Sequence, residues 1–125
     1  MTKAYKTVKV EDGKYFSSFA EGRWKLQYKI GEITRPRLLK SKVFLYDNPE
    51  NADYFKERRT DVILVGEAEN MVCIRGTSLD LETKFFSRIW KTGKVAHEDR
   101  VCPDKFFWAD SFTPDHVYVE GEENE

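Results

Sequence analysis

A strict two-residue alternation between positions 23 and 30 constrains this chain more than any other feature. The apolar members are Trp24, Leu26, Tyr28 and Ile30, and the polar members are Arg23, Lys25, Gln27 and Lys29. Because successive side chains of a β-strand point to opposite faces, the pattern predicts an eight-residue strand with one buried face and one wet, cationic face. We therefore expect a β-sheet that buries the four apolar side chains.

Further strand signals surround this segment. Residues 5–10 alternate, Asp12-Gly13 supplies turn chemistry, and a second extended run covers 15–20, so a hairpin is expected here. Short apolar runs predict more strands, at residues 43–46, 61–65, 71–75, 106–112 and 117–119. Gly66 is expected to end one of these strands, and Thr113-Pro114-Asp115 is expected to form a turn between the last two.

One helix is predicted to begin at Pro49. Asn48 suits the N-cap, Pro49 suits the first helical position, and Ala52 and Phe55 are spaced to face a core. Basic residues suited to the last turn follow, namely Lys56, Arg58 and Arg59. The pattern predicts a helix of about ten residues.

These elements predict an α+β fold, a small, mainly antiparallel curled sheet with one or two short helices. The region 78–103 stays open, because its first part has both a four-residue apolar repeat and a strand-like aromatic enrichment. A chain of 125 residues suits one compact domain. We expect that domain to span residues 1–119, followed by an acidic tail over 120–125.

Charge is divided unevenly along the chain. Residues 1–60 hold 14 Lys/Arg and 8 Asp/Glu, a net of +6, whereas residues 61–125 hold 7 and 14, a net of −7. The stretch Arg23–Lys42 contains seven basic residues and one acidic residue. In the favoured interpretation the two halves of one domain neutralise each other; the alternative is a basic surface that binds nucleic acid.

Motifs for catalysis and metal binding are sparse. No phosphate-binding loop, dinucleotide fingerprint, C-x-x-C or H-E-x-x-H occurs. His97 and His116 are the only histidines, and Cys73 and Cys102 the only cysteines, without an adjacent base. We expect no catalytic residue, no metal ligand and no cofactor from these patterns. No apolar run could span a bilayer and no leader is visible, so we expect a cytoplasmic protein without a membrane partner.

Two segments are candidates for ligand binding. Ser17 and Ser18 are framed by aromatic residues, as hydroxyl groups lining a pocket would be, although an alternating strand with outward serines is favoured. Asp110 lies in an apolar stretch, so its carboxylate must be paired, exposed, or raised in pKa within a pocket.

A second set of residues is typical of protein interfaces, which favour tyrosine, tryptophan and arginine. These candidate partner-binding residues are Trp24, Tyr28, Arg35, Arg37 and Trp90. Together with the missing catalytic motifs, they favour a small non-enzymatic interaction protein with a protein partner.

Three blocks of the sequence resemble small uncharacterised proteins of bacteriophages and prokaryotes. The blocks comprise residues 4–8 with 17–19, residues 28–32 with 43–55, and residues 107–114. The resemblance implies a phage or mobile-element setting, in which a host or phage macromolecule would be the partner. It implies no activity.

The order of these blocks also resembles the ADP-ribosyltransferase-like fold. That resemblance implies an NAD or nucleotide site with Lys6 at the early polar position, Tyr46 at the strand end, Tyr54 on the helix and Asp110 as the late acid. The family has His or Arg where this chain has Lys6, and Glu where it has Asp110. The resemblance therefore implies two alternatives, an active enzyme and a degenerate site that binds a nucleotide without turnover, and the degenerate site is at least as strongly implied.

Overall fold

The computed structural model describes residues 2–18, 25–36, 42–54, 56–73 and 107–122. Within these ranges the chain forms a mostly antiparallel β-structure with one short helix, which confirms the sheet-rich part of the expected fold. The elements are β1 Thr2–Glu11, β2 Lys14–Ser17, β3 Gln27–Tyr28, β4 Val43–Leu45, α1 Pro49–Tyr54, β5 Val62–Glu69, β6 Val72–Cys73, β7 Phe107–Ala109 and β8 Ser111–Val117. The undecided region 78–103 lies outside the described residues.

The predicted hairpin is confirmed as β1 and β2. Glu11 pairs with Lys14, so the loop consists of Asp12 and Gly13 alone. Their φ angles are 51° and 75°, the left-handed values that a two-residue hairpin turn requires. Glycine adopts such a φ at little cost, and aspartate is among the few side chains that tolerate it.

The larger sheet curls until its two edges meet. Its strand order is β3-β2-β1-β5-β8. Just after β3 the chain reaches the free edge of β8, where Gly31 N donates to Pro114 O over 2.7 Å. Thr34 and Phe112 then exchange two backbone hydrogen bonds of 2.8 and 3.0 Å. Segment 31–34 thereby covers the β8 edge and pairs its backbone groups.

The smaller sheet, β4-β7-β6, grows out of the larger one. β5 leads into β6 through Asn70, which has a φ of 55°, and β7 leads into β8 through Asp110. Asp110 N donates to Glu69 O over 2.9 Å, so the two ladders are continuous through the bend. Tyr46, directly after β4, exchanges two 2.9 Å backbone hydrogen bonds with Tyr5 of β1.

Two hydrophobic clusters lie on opposite faces of β1. The inner cluster includes Ala4, Val8, Tyr28, Leu64 and Phe112, and the rings of Tyr28 and Phe112 meet edge to face. The outer cluster is covered by α1 and contains Tyr5, Tyr46, Ala52, Ile63 and Val65. Residues 5–10 therefore bury side chains on both faces, because strands of the curled sheet have core on each side.

The predicted eight-residue strand is too long. Leu26 and Tyr28 are buried as expected, but among the described residues 25–30 only Gln27–Tyr28 pairs as a strand. Ile30 is 44% exposed, because the chain turns at Gly31, with a φ of 82°, to reach β8. Trp24 lies outside the described residues.

The helix begins where the sequence predicts and ends earlier. Asn48 Oδ1 accepts the backbone N–H of Asn51 over 2.8 Å, which is the expected cap, and Ala52 is fully buried. The helix spans six residues rather than about ten. Arg58 and Arg59 follow it in a turn that the carboxylate of Asp61 caps by accepting the backbone N–H groups of Glu57 and Arg58.

Two predicted breaks fall inside strands instead. Gly66 pairs with Pro114 in the middle of the β5–β8 ladder, at an irregularity where Asp115 is an extra residue on β8. Proline has no backbone N–H, and it is tolerated at such a bulge because the ladder needs no N–H donor at that position. The predicted turn at 113–115 is therefore wrong, and so is the expectation that Gly66 ends its strand.

The start of the acidic tail is tied to the body of the protein. Glu122 Oε2 lies 2.9 Å from His116 Nε2, and Glu122 Oε1 accepts the backbone N–H of Val119 over 2.7 Å. The hydrogen bond with His116, followed by that from Val119, lowers the pKa of Glu122.

Candidate functional site

Lys6 is the most unusual polar residue on the inner face. The alternation of β1 places it between Ala4 and Val8, both fully buried. Its Nζ donates to the carbonyl oxygen of Phe44 over 2.7 Å and lies 5.8 Å from the centroid of the Tyr28 ring. Burial lowers the pKa of Lys6 to about 7. An amine held in this way is poised between its charged and neutral forms near neutral pH.

Ser17 and Ser18 form hydrogen bonds with different parts of the chain. Ser17 Oγ accepts the N–H of Leu26 over 2.9 Å, and its side chain also hydrogen bonds with Tyr28. Burial raises the pKa of Tyr28, and the Ser17 hydrogen bond opposes that shift. Ser18 instead donates to Asp61 Oδ2 over 3.4 Å. Each hydroxyl thus contacts a different part of the chain, and a ligand-binding role for either serine stays a prediction.

Asp110 occupies the bend between β7 and β8. Its carboxylate pairs with Lys42 and accepts a hydrogen bond of 2.8 Å from Asn70 Nδ2. The Lys42 hydrogen bond, followed by the Asn70 one, lowers the pKa of Asp110. Of the alternatives that the sequence left open, the structure shows a paired and partly exposed carboxylate.

The two candidate tyrosines lie in different environments. Tyr46 is buried in the outer cluster, and this burial raises the pKa of its hydroxyl. Tyr54 is on the last turn of α1 and is 72% exposed. Lys6 belongs to the opposite face of β1, and Asp110 to a bend in the sheet. The four residues named by the ADP-ribosyltransferase resemblance therefore occupy four separate structural settings.

The predicted partner-binding residues are only partly described. Tyr28 is 2% exposed and packs against Phe112, as a core residue does, and its contact with a partner stays a prediction. Arg35 is exposed. Trp24, Arg37 and Trp90 lie outside the described residues.

An exposed segment that includes Arg35 was not predicted from the sequence. We name residues 29–35 the docking segment. Ile30 and Ile33 are 44% and 59% exposed. The backbone that carries them is fixed to β8 through Gly31 and Thr34, and Thr34 is buried. The alternation concealed this feature, because it assigned Ile30 to the buried face.

A cleft that the sequence did not suggest lies between α1, the start of β5 and the end of β8. Its volume is about 400 Å³, and its walls include Glu50, Asp53, Ile63 and Tyr118. Asp61 forms part of the floor and is held by Ser18 and two backbone N–H groups. The sequence signal is a carboxylate that opens an apolar run, a pattern that predicts the start of a strand.

In the part of the chain that the structure describes, no group of three or more histidine, cysteine or carboxylate side chains could hold a metal ion. No helix in that part is long and apolar enough to cross a membrane.

Comparisons with protein-family models, with curated proteins and with solved structures found no match to this chain.

Proposed function

We propose that this small α+β chain is a non-enzymatic binding protein that contacts a protein partner through the docking segment. The observation that carries the proposal is the pair of exposed isoleucines on a backbone fixed by hydrogen bonds. A segment that is already ordered loses little conformational entropy when it binds, so more of the contact energy contributes to affinity.

The charges beside the isoleucines define the kind of partner. Lys29 and Arg35 are the first and last residues of the segment and are exposed, with Glu32 between them. Arginine is enriched among the residues that dominate binding energy, and burial of an isoleucine contributes about 1.5–3 kcal/mol. We expect a partner that presents an apolar depression with an acidic rim.

Pairing within the chain favours a protein over a nucleic acid. The described part of the stretch Arg23–Lys42 holds four cations. Lys25 pairs with Glu11 and lies 4.6 Å from the Phe16 ring centroid, while Lys42 pairs with Asp110. Nucleic-acid binding depends on cations that neutralise phosphates, and two of the four already neutralise carboxylates.

The setting follows from the resemblance of the sequence blocks. In this proposal the chain acts in the cytoplasm, encoded by a bacteriophage or mobile element, and the partner is a host or phage protein. No cofactor takes part. The alternative is an NAD- or nucleotide-binding protein, which the melting temperature in the presence of NAD tests.

The experiment compares two matched variants of the tagged chain in a pull-down from a bacterial lysate treated with nuclease. The first, Ile30→Ser with Ile33→Ser, removes the apolar contact. The control, Tyr54→Ser with Val119→Ser, removes two residues that are 72% and 67% exposed elsewhere. A partner captured by the wild type is then purified and titrated against each protein.

We expect the docking-segment variant to bind at least about 30-fold more weakly, which corresponds to the loss of about 2 kcal/mol at an interface centre. The control should bind like the wild type. Equal affinities for both variants, or no captured protein from any plausible host, would contradict the proposal. Capture of a protein from an untreated lysate that is lost after nuclease treatment would favour the nucleic-acid alternative.

A further inference from the structure

The cleft between α1, β5 and β8 has the chemistry that the docking segment requires of a partner. Val62, Val117 and Tyr118 line it and are only half-buried, so apolar side-chain surface is accessible there. Glu50 and Glu120 also line the cleft and are exposed. The cleft thus combines an apolar lining with acidic groups at the surface.

Two acidic groups of the cleft are left without a counter-charge. Asp53 lies 3.6 Å from Lys56, so these two charges neutralise each other. Glu50 and Glu120 form no ion pair within the residues that the structure describes. A cationic group that approaches the cleft therefore meets two carboxylates that are not already neutralised.

The docking segment carries the complementary charges. Lys29 and Arg35 are exposed, and neither forms an ion pair in the described part of the chain. The exposed side chains of Ile30 and Ile33 lie between them in the sequence. Two unpaired cations with apolar groups between them match an apolar cleft with two unpaired carboxylates, and such complementarity favours one orientation of contact.

The segment does not fill the cleft of its own chain. Ile30 and Ile33 are exposed, and neither is among the residues that line the cleft. Backbone hydrogen bonds of Gly31 and Thr34 fix the segment to the edge of β8. Without a break in these hydrogen bonds, the isoleucines can reach a cleft only in another molecule.

We propose that the docking segment of one copy of this chain binds in the cleft of a second copy. The isoleucines enter the cleft, whose volume of about 400 Å³ lies within the range of concave sites that hold small ligands. The cations of the segment pair with Glu50 and Glu120. This inference rests on the proposed function, because it uses the same docking segment. A short segment buries less surface than a standard interface, so the association is weak and reversible.

The test measures sedimentation velocity of the full chain at concentrations from about 10 µM to about 1 mM, a range suited to a weak contact. We expect the sedimentation coefficient of the wild type to rise with concentration. Ile30→Ser with Ile33→Ser should associate at least about tenfold more weakly, because the apolar contact is lost. A wild type that sediments as a monomer at every concentration would overturn the inference.

Two charge-reversed variants test the pairing itself. The segment variant is Lys29→Glu with Arg35→Glu, and the cleft variant is Glu50→Lys with Glu120→Lys. Each brings like charges together when it meets its own kind, so each alone should associate at least about tenfold more weakly than the wild type. In an equimolar mixture the reversed segment meets the reversed cleft, and the unchanged segment meets the unchanged cleft, so association should return.

The mixture also separates a lost contact from a lost fold, because misfolded variants would not regain association when mixed. Glu67→Lys with Glu69→Lys is the matched control: both residues are exposed on β5 outside the cleft lining, and the change in net charge equals that of the cleft variant. This control should associate like the wild type. Undiminished association of both reversed variants, or a mixture that stays monomeric, would overturn the inference.

Titration of the lysate partner distinguishes this inference from the proposed function. The cleft variant keeps the docking segment, so it should bind a captured protein with wild-type affinity. A monomeric wild type whose docking segment still binds that protein would overturn the self-association alone. Self-association through the segment, with no protein captured from any lysate, would support this inference and contradict the proposed host or phage partner.

Discussion

Replacement of Gly66 by alanine should force β5 and β8 apart. A Cβ built at this position would lie 2.1 Å from the Thr113 carbonyl oxygen and 2.6 Å from the Pro114 Cα. Both atoms belong to the backbone, so no side-chain rotation can relieve the overlap. The strands have to separate, in the ladder that holds the docking segment through Pro114 and Gly31.

The sign of the effect makes this substitution informative. At a position with room for a methyl group, glycine to alanine stabilises a protein by about 0.4–1 kcal/mol, because it reduces the freedom of the unfolded chain. Overpacking a filled site costs about 1–3 kcal/mol. Since the overlap at Gly66 is with backbone, we expect the upper end, a loss of about 3 kcal/mol in the free energy of unfolding.

Urea unfolding followed by fluorescence measures this loss. With a slope of about 1–3 kcal/mol per molar urea, a loss of about 3 kcal/mol lowers the midpoint by at least about 1 M. Gly121→Ala is the matched control, because nothing lies within 4 Å of its added Cβ and its φ of 93° is the only strain. That strain costs about 1–2 kcal/mol. A Gly66→Ala midpoint equal to or above the wild-type value would refute the packing of β8 on β5.

Three further predictions concern the cap, the bend and the nucleotide alternative. Asn48→Ala removes the acceptor of the Asn51 N–H and should cost about 1 kcal/mol in urea unfolding. Asp110→Asn should be less stable than the wild type above about pH 5, and the difference in stability should shrink below about pH 4. The reason is that the Lys42 hydrogen bond lowers the pKa of Asp110 in the folded state, so the stabilisation from this hydrogen bond is lost as the carboxylate becomes protonated. Millimolar NAD should leave the melting temperature unchanged, since the non-enzymatic proposal needs no nucleotide.

Each prediction has a contrary outcome, and the cap also has a control variant. Asn48→Ser keeps an acceptor for the Asn51 N–H and, like alanine, lacks the amide that donates to Asp47, so it should unfold close to the wild type, and equal loss in both variants would argue against the cap. A difference for Asp110→Asn that stays constant with pH would argue against the ion pair at the bend. A nucleotide present at 100 times its dissociation constant adds about 2.7 kcal/mol to the free energy of unfolding. A corresponding rise in the melting temperature would favour the ADP-ribosyltransferase-like site.

Local chemistry explains which elements were predictable. Asp12-Gly13 can form its turn with little help from the rest of the chain, because both residues tolerate a positive φ. The Asn48 cap joins groups three residues apart. Such interactions depend on neighbouring positions, so the hairpin and the helix start could be predicted from the sequence.

Distant contacts explain the errors. Glycine and proline are the usual signals of a strand end and a turn. In this structure, however, Gly66 and Pro114 pair with each other across the β5–β8 ladder. Ile30 has the parity of a buried residue, yet the turn at Gly31 moves it to the surface. A period-two pattern reports the alternation of side chains and not the point where the chain leaves its sheet.

For the candidate site, too, the residue types could be predicted from the sequence, but their contacts could not. The chemistry of Lys6 was visible as a cation in a strand, whereas its burial depends on Phe44 and Tyr28, which are 38 and 22 positions away in the sequence. Asp110 was recognised as a carboxylate that needs a partner, but the partners are Lys42 and Asn70. No local pattern identifies such pairs.

The sequence by itself determined a sheet-rich chain with a two-residue hairpin and a capped helix at Pro49, because turn and cap energies act over three or four residues. Only the tertiary structure decided that the sheet edges meet at Thr34 and Phe112, which leaves Ile33 exposed, and that Lys6 is half-buried beside distant residues. Exposure and desolvation are properties of packing between distant strands, and no single segment contains them.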